Sequence, residues 1–306
     1  MNWTEQRHPQ PVQGKVVTRF APSPTGYLHA GHAYSALLNQ HRAKAAEGSF
    51  VLRVEDIDTE RCHPSYVDAL FEDLSWLGLR WDDEPLRQSE RLDIYQQHLD
   101  QLERQGLVYR SFDSHPDGAE SLRAPHDPPR DAFTSKPLAT MQQRDNHATG
   151  RPFAWRLSMA AAASQLGSDY RMLEVLEQTD DGSVAAQRAE PWRFGDAVLG
   201  RRDSGTSYHL ASVVDDATQG VTHVVRGREL REAADLHVLL CALLGFDPPV
   251  YHHHRIITDS RGRRLSKRDA GQSLRELRRQ GVTVEDLVHR FPPPRFATPT
   301  TAQGHH

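Results

Sequence analysis

The sequence is poor in cysteine: Cys62 and Cys241 are its only two in 306 residues. Two thiols cannot build a disulfide framework, and their scarcity suits a reducing compartment. Long apolar runs are missing as well. The longest, Leu236 to Leu244, is nine residues interrupted by His237, whereas a bilayer-spanning helix needs about 20. No apolar segment follows the start, Met1-Asn2-Trp3-Thr4-Glu5-Gln6-Arg7, so a secretory leader is not expected. There is no excess of positive charge either. The 37 basic residues face 41 acidic ones for a net charge of −4, which excludes a globally basic nucleic-acid coat protein. Hydrophobic residues are only 37% and mean hydropathy is −0.67, low but sufficient for a core at this length. What these absences leave is a soluble, cytoplasmic, globular protein, of two domains on a prior of about 150 residues each.

Lysine is the other scarce residue. Lys15, Lys44, Lys136 and Lys267 are the only four, so arginine supplies the other 33 of the 37 basic positions. Genome composition accounts for such a bias. So does recognition of phosphate or carboxylate by guanidinium forks. The distribution adds something the ratio does not: between Arg255 and Arg279 there are nine basic residues and three acids (Asp259, Asp269 and Glu276), a local charge of +6. That polarity is expected of a face that meets a polyanion.

No internal repeat is visible, which argues against a solenoid. Residues 15–20 (KVVTRF) read as a short buried strand closed by the loop Pro22-Ser-Pro-Thr-Gly26. From about Gly31 to Glu47 the apolar positions Ala33, Leu37, Leu38 and Ala45 suit a helix ended by Gly48, and 49–55 (SFVLRVE) form a second strand. Strand, loop, helix and strand in about 40 residues make the βαβ unit of a parallel sheet. Helices are expected over 64–77 and 90–105. Residues 113–150 are rich in Pro, His, Asp, Ser and Arg, with little periodicity, and read as loop. Structure is expected again at 153–159 (FAWRLSM), 197–199, 208–214 and 221–225, followed by a helix over 229–244. After Phe291 the run Pro-Pro-Pro-Arg-Phe-Ala-Thr-Pro-Thr-Thr reads as a disordered tail.

Two segments could carry chemistry. In Arg19-Phe-Ala-Pro-Ser-Pro-Thr-Gly-Tyr-Leu-His-Ala-Gly-His32 the chain leaves a strand, turns, and places His29 and His32 at the mouth of a helix. A helix N-terminus presents unpaired N–H groups and the positive end of its dipole, so phosphate binds there readily. Gly31 would let a nucleotide lie against the backbone. Taken alone, H-x-G-H also fits an ordinary strand-to-helix turn with surface histidines. The second segment, Arg264-Leu-Ser-Lys-Arg268, follows the basic loop Ser260-Arg-Gly-Arg-Arg264 and precedes a helix with Arg275, Arg278 and Arg279. Lysine above a triphosphate neutralises charge that builds only in the transition state. Taken alone, this segment too fits a plain solvated loop.

Together the two carry a resemblance. His29-Ala-Gly-His32 resembles the HIGH motif, and Arg264-Leu-Ser-Lys-Arg268 the KMSKS motif, of class I aminoacyl-tRNA synthetases. RFAPSPTGYLHAGHAYSALLN with LRVEDIDTER (52–61), and the string from Tyr208 to Gly227 (YHLASVVDDATQGVTHVVRG), are similar to the glutamyl-tRNA synthetase family in particular. The likeness runs in order from about residue 15 to about 270. It implies an α/β fold: a Rossmann-like, doubly wound, parallel-sheet catalytic core split by an α+β insertion, with a small C-terminal helical element. The expected divisions are an N-terminal extension (1–14), the first half of the core (15–107), an insertion resembling the acceptor-stem-binding domain (108–190), the second half (191–254), the KMSKS-like loop with a helical segment (255–291) and the tail (292–306).

The resemblance also implies substrates and roles. Full members of the family carry an anticodon-binding half beyond the KMSKS region, whereas this chain ends about 40 residues past Lys267. It therefore resembles the shortened branch, whose members activate L-glutamate with ATP and attach it to the queuosine base in the anticodon stem-loop of tRNA(Asp). A minimal synthetase charging tRNA(Glu) and a catalytically inactive tRNA-binding paralogue are the alternatives. A small-molecule nucleotidyltransferase of the same superfamily would lack the strings at 52–61 and 208–227. Arg19 and Arg226 would grip the glutamate side-chain carboxylate, a bidentate task that suits guanidinium, with Tyr208 adding its hydroxyl and Ala21 lining the pocket. Ser23 and Glu55 would hold the α-ammonium group. His29, Gly31, His32, Arg264 and Lys267 would bind ATP, with His29, His32 and Lys267 acting on its phosphates. Mg2+ is expected with ATP, but no dedicated protein site for it is seen. Structural zinc is not expected, because Ser111 and Asp113 stand where the family often has cysteines and thiolates make such sites tight. A monomer that does not engage membranes is expected. Arg264 departs from the first lysine of KMSKS and keeps its charge.

Overall fold

The computed structural model describes residues 14–112, 150, 152–201, 205–258 and 273–292. Nearly all of the N-terminal extension, the loop-rich stretch and the tail, together with Asp113, Arg264 and Lys267, lie outside these residues.

The chain begins with β1 (Val17–Phe20), α1 (Ala30–Ala45) and β2 (Ser49–Val54). β1 and β2 pair in parallel from Val17↔Ser49 to Phe20↔Leu52, which is the βαβ unit read from the sequence. The return from α1 into β2 depends on Gly48: a Cβ there would lie 2.1 Å from the Val16 carbonyl oxygen. Next come α2 (Pro64–Trp76), β3 (Leu86–Arg87), α3 (Leu92–Arg104), β4 (Val108–Ser111), β5 (Ala154–Leu157), α4 (Met159–Leu166), β6 (Glu174–Gln178), β7 (Val184–Arg188) and β8 (Val198–Arg201). Then follow α5 (Tyr208–Thr218), β9 (His223–Gly227), α6 (Ala233–Leu244), β10 (Val250–His254), α7 (Leu274–Arg279) and α8 (Val284–Arg290). The helix expected from 229 begins later: Arg228–Leu230 form a 3₁₀ turn, and the regular helix starts at Ala233.

The main sheet has seven strands in the order β3-β2-β1-β9-β10-β6-β7. Its first six are parallel and β7 is antiparallel to β6 at the edge. A smaller antiparallel sheet, β4-β5-β8, stands beside it. Sheet membership crosses residue 190: β6 and β7 precede it yet extend the main sheet, while β8 follows it and completes the smaller one.

Successive strand residues point to opposite faces, and each face of the main sheet has its own core. Val51 and Val224 join Tyr95, Leu99, Leu210, Leu236 and Leu240 from α3, α5 and α6. Their neighbours Phe50, Leu52 and Val225 join Leu38, Leu70, Leu74, Leu274 and Leu287 from α1, α2, α7 and α8. Helices thus cover both faces, the doubly wound α/β arrangement expected. β2 succeeds β1 on one side and β10 succeeds β9 on the other, so the winding reverses between the adjacent β1 and β9, and a crevice opens at such a switch point beyond the carboxyl ends of the strands.

Candidate active site

Arg19 in β1 and Arg226 in β9 stand at that switch point, each only 5% exposed. Arg19 Nε donates to Asp216 Oδ1 at 3.0 Å, and Arg53 Nη1 donates to the same oxygen at 2.7 Å. Arg53 also reaches Gln219 Oε1 at 3.2 Å and Glu55 Oε1 at 3.3 Å. Ser212 Oγ donates to that Glu55 oxygen at 3.4 Å. Two guanidiniums and two carboxylates therefore interlock in a nearly dry setting. Burial opposes the Arg53 charge, but Asp216, Glu55 and Asp215 outweigh it and hold the proton more tightly than usual. Burial likewise acts to raise Asp216, and Arg19 and Arg53 reverse it, leaving that carboxyl below its ordinary range. Glu55 goes the other way, raised by burial against the pull of Arg53 and Arg19. A cation placed beside Glu55 would favour its ionised form and oppose the effect of burial.

Ala21 and Ser23 occupy the loop leaving β1, where the Glu55 N–H donates to Pro22 O at 3.0 Å and ties that loop to the end of β2. Arg226 is held by two bonds, Nε to His253 Nε2 at 3.2 Å and Nη2 to the Leu230 carbonyl at 2.9 Å, and lies 5.0 Å from the Tyr251 ring centre. Of its five N–H groups three have no partner among the described residues, enough for a bidentate carboxylate. Tyr208 opens α5 behind a Ser207 cap and is buried within electrostatic reach of Arg226, Glu55 and Arg19. Burial raises its phenol, so the hydroxyl stays a donor. Behind it His209 Nδ1 and His237 Nε2 share a 3.1 Å hydrogen bond. Burial and Arg226 bring His209 down to about 3 and His237 well below its usual value, so both rings are neutral.

His29 and His32 cap α1 reciprocally. His29 Nδ1 accepts the Gly31 N–H at 3.1 Å, and His32 Nδ1 accepts the His29 N–H at 3.1 Å. With each Nδ1 an acceptor, the proton of each neutral ring lies on Nε2, the nitrogen that can donate to a phosphate oxygen. The rings are 3.8 Å apart between centres. A Cβ on Gly31 would meet His29 Cε1 at 3.0 Å, so glycine keeps the cap closed.

Described residues from the C-terminal part of the chain pack on this cap. Ile257 approaches Gly31, His29 bridges to Ser273, and the Leu274 N–H donates to Leu28 O at 2.7 Å. In the smaller sheet the Tyr109 hydroxyl donates to Asp196 Oδ2 at 2.8 Å and Ser111 is buried. Among the described residues no group of three or more His, Cys, Asp or Glu converges on a metal position.

The sequence points to Arg19, Glu55, Tyr208 and Arg226, and the structure brings Arg19, Glu55 and Arg226 within electrostatic reach of Tyr208, while His29, Gly31 and His32 form the mouth of α1. It did not assign Arg53, Asp216, Ser212 or His253. An arginine inside the otherwise apolar strand Ser49–Val54 is a signal that could have found the first: a buried cation requires a buried partner.

The comparisons fit this geometry. The family model for the class I tRNA synthetase (E and Q) catalytic domain matches residues 15–297. The chain is 42% identical over 284 residues to the Glutamyl-Q tRNA(Asp) synthetase of Rhodobacter capsulatus, covering 89% of this chain and 98% of that one. It is 38% identical to Glutamate--tRNA ligase 1 of Ruegeria pomeroyi, covering 89% of this chain but 59% of that one. Among solved structures, the glutamate-tRNA synthetase of Elizabethkingia anophelis superposes with a TM-score of 0.66 at 30% identity, over 84% of this chain and 53% of that one.

Proposed function

Because this chain belongs to the class I tRNA synthetases of the glutamate and glutamine group, a family of ligases, we propose that it activates L-glutamate with ATP. It then transfers the glutamyl group to the queuosine base in the anticodon of tRNA(Asp). One observation carries the amino-acid assignment: two buried guanidiniums near the carboxyl ends of β1 and β9, Arg19 and Arg226, keep N–H groups without a partner among the described residues and lie within electrostatic reach of Tyr208, as does Glu55. A ligand with one carboxylate for the guanidiniums, one ammonium for Glu55 and a second carboxylate left over is an acidic amino acid.

In this reading the α-carboxylate oxygen attacks the α-phosphorus of ATP in line, pyrophosphate leaves, and glutamyl-adenylate forms. The acceptor group of the RNA then attacks the activated carbonyl and AMP leaves. No enzyme nucleophile is needed, since positioning and charge stabilisation suffice. His29 and His32 donate from Nε2 to phosphate oxygens at the α1 N-terminus, Gly31 lets the nucleotide approach, and Arg264 and Lys267 neutralise the departing pyrophosphate. Mg2+ bound chiefly by the triphosphate would balance its charge. We assign RNA contact to the 108–190 insertion and the basic 255–279 stretch, and take the enzyme to be a cytoplasmic monomer.

Identity supports the queuosine reading: the chain is 42% identical to the relative from R. capsulatus and 38% identical to the R. pomeroyi glutamate–tRNA ligase. The test supplies radiolabelled glutamate, ATP and magnesium with tRNA(Asp) bearing or lacking queuosine, and with tRNA(Glu). Label on queuosine-containing tRNA(Asp) alone is the expected result. Label on tRNA(Glu) would make this a minimal synthetase, and no label on any RNA would favour an inactive paralogue.

A further inference from the structure

Arg226 is the first member of a chain of polar contacts that begins buried and ends at the exposed edge of the main sheet. Its Nε–H donates to His253 Nε2, so that nitrogen carries a lone pair and the ring proton lies on Nδ1. His253 Nδ1 stands 3.0 Å from Glu177 Oε1 in β6. The other Glu177 oxygen is gripped by Arg231 Nε at 2.7 Å, and Arg231 reaches Asp235 at 3.2 Å and Gln187 in β7 at 2.6 Å. The order is cation, neutral ring, anion, cation, and each donor meets one acceptor. Burial, with the Arg226 charge and against the pull of Glu177, brings His253 down to about 3, so the ring between the two arginines is neutral. Burial acts to raise Glu177, but His253 and Arg231 outweigh it and keep that carboxyl ionised.

The alternative tautomer would place an N–H of His253 against the N–H of Arg226. That repulsion would turn the guanidinium away and leave a buried donor unpaired. A carboxylate at Glu177 forbids it, because it accepts only from Nδ1–H. The parallel stack of Tyr251 on His253, 5.7 Å between centres and 3° between planes, fixes the ring plane from the side. We infer that His253, fixed in one tautomer by Glu177, is a positioning residue that sets how Arg226 presents its remaining N–H groups to the substrate carboxylate. The inference rests on the assignment of Arg226 to the glutamate pocket. It gives the β6–β7 hairpin, far from Arg226 in sequence, a part in amino-acid selection.

The test is glutamate-dependent ATP–pyrophosphate exchange by the full chain, with tRNA present, comparing the parent with Arg226→Ala, His253→Leu, His253→Gln and Glu177→Gln. His253→Leu leaves the Arg226 Nε–H without its acceptor and should raise the KM for glutamate roughly tenfold, with kcat and the KM for ATP within about twofold. His253→Gln can still accept from Arg226 and should recover most of that loss. Glu177→Gln, at a partly exposed position where misfolding is not a concern, should raise the glutamate KM roughly three- to fivefold by freeing the tautomer. If Arg226→Ala raises the glutamate KM while His253→Leu and Glu177→Gln leave it unchanged, the positioning role is wrong and the pocket stands. If Arg226→Ala itself leaves glutamate activation untouched, the pocket assignment fails and the relay with it.

Discussion

Arg53 and Asp216 are 163 positions apart in the sequence and 2.7 Å apart in space, Nη1 to Oδ1. The pair ties β2 to α5, and because Arg19 shares the same carboxylate oxygen it also sets the orientation of an arginine in the crevice. Stability and substrate geometry therefore depend on one oxygen atom.

Asp216→Ala should be the most damaging single change near the crevice. It leaves the buried Arg19 without its carboxylate partner and Arg53 with only its 3.3 Å contact to Glu55, a loss of about 3–5 kcal/mol. A urea unfolding midpoint that barely moves would mean that water or Glu55 replaces the carboxylate.

Arg226→Ala and Lys267→Ala should fail in opposite ways. The first removes a contact made to bound glutamate and should raise its KM at least tenfold, abolishing discrimination against uncharged analogues. The second removes charge stabilisation needed as pyrophosphate departs. Adenylate formation should slow by about 10²–10³-fold with little loss of glutamate binding. Pre-steady-state adenylate formation, followed over a range of glutamate concentrations, separates the two.

His29→Ala and His32→Ala should each carry a double cost. Losing an Nε2–H donor lowers the rate of adenylate formation, and losing half of the reciprocal cap destabilises α1 by about 1 kcal/mol. Substitution by Asn keeps a capping acceptor, so His29→Asn should recover the melting temperature without recovering the rate. Recovery of both would reduce the imidazoles to structural caps.

Asp73 gives a pH prediction. It is 1% exposed in α2 with no hydrogen-bond partner for either side-chain oxygen among the described residues, and burial, offset in part by Arg278, pushes it up to about 6. A folded pKa above the unfolded value favours the protonated form on folding. This group's contribution is therefore intact below about pH 4 and is lost as pH rises through about 6. Asp73→Asn should be more stable than the parent above pH 6, by on the order of 1 kcal/mol and a few degrees in melting temperature. The gap should close by pH 4; a gap independent of pH would contradict the assignment.

What could be read in advance was local. β1, α1 and β2 emerge because apolar period, the prolines at 22 and 24 and Gly48 agree with one another, and the helices at 64–76 and 92–104 fall within two residues of expectation. β10 did not emerge, since Val250-Tyr-His-His-His254 reads as polar. It is a buried strand because His252, His253 and His254 each find a partner, at Gln178 O, Glu177 and Arg255 O. β7 is exposed at all five residues and has no periodicity; pairing with β6, not composition, makes it a strand. The same holds in the crevice. Arg19, Glu55, Tyr208 and Arg226 lie in strings whose family likeness carries a role for them; Asp216 lies in such a string without an assigned role and His253 lies outside them, and both matter through contacts with residues far away in the chain.

The His29–Ser273 bridge and the 2.7 Å bond from the Leu274 N–H to the Leu28 carbonyl fasten residues from opposite ends of the sequence at the mouth of α1. The C-terminal helices are therefore a wall of that mouth and not an appendage to it. Loosening either link should disturb the reciprocal histidine cap from outside, altering how His29 is held with every side chain of α1 unchanged.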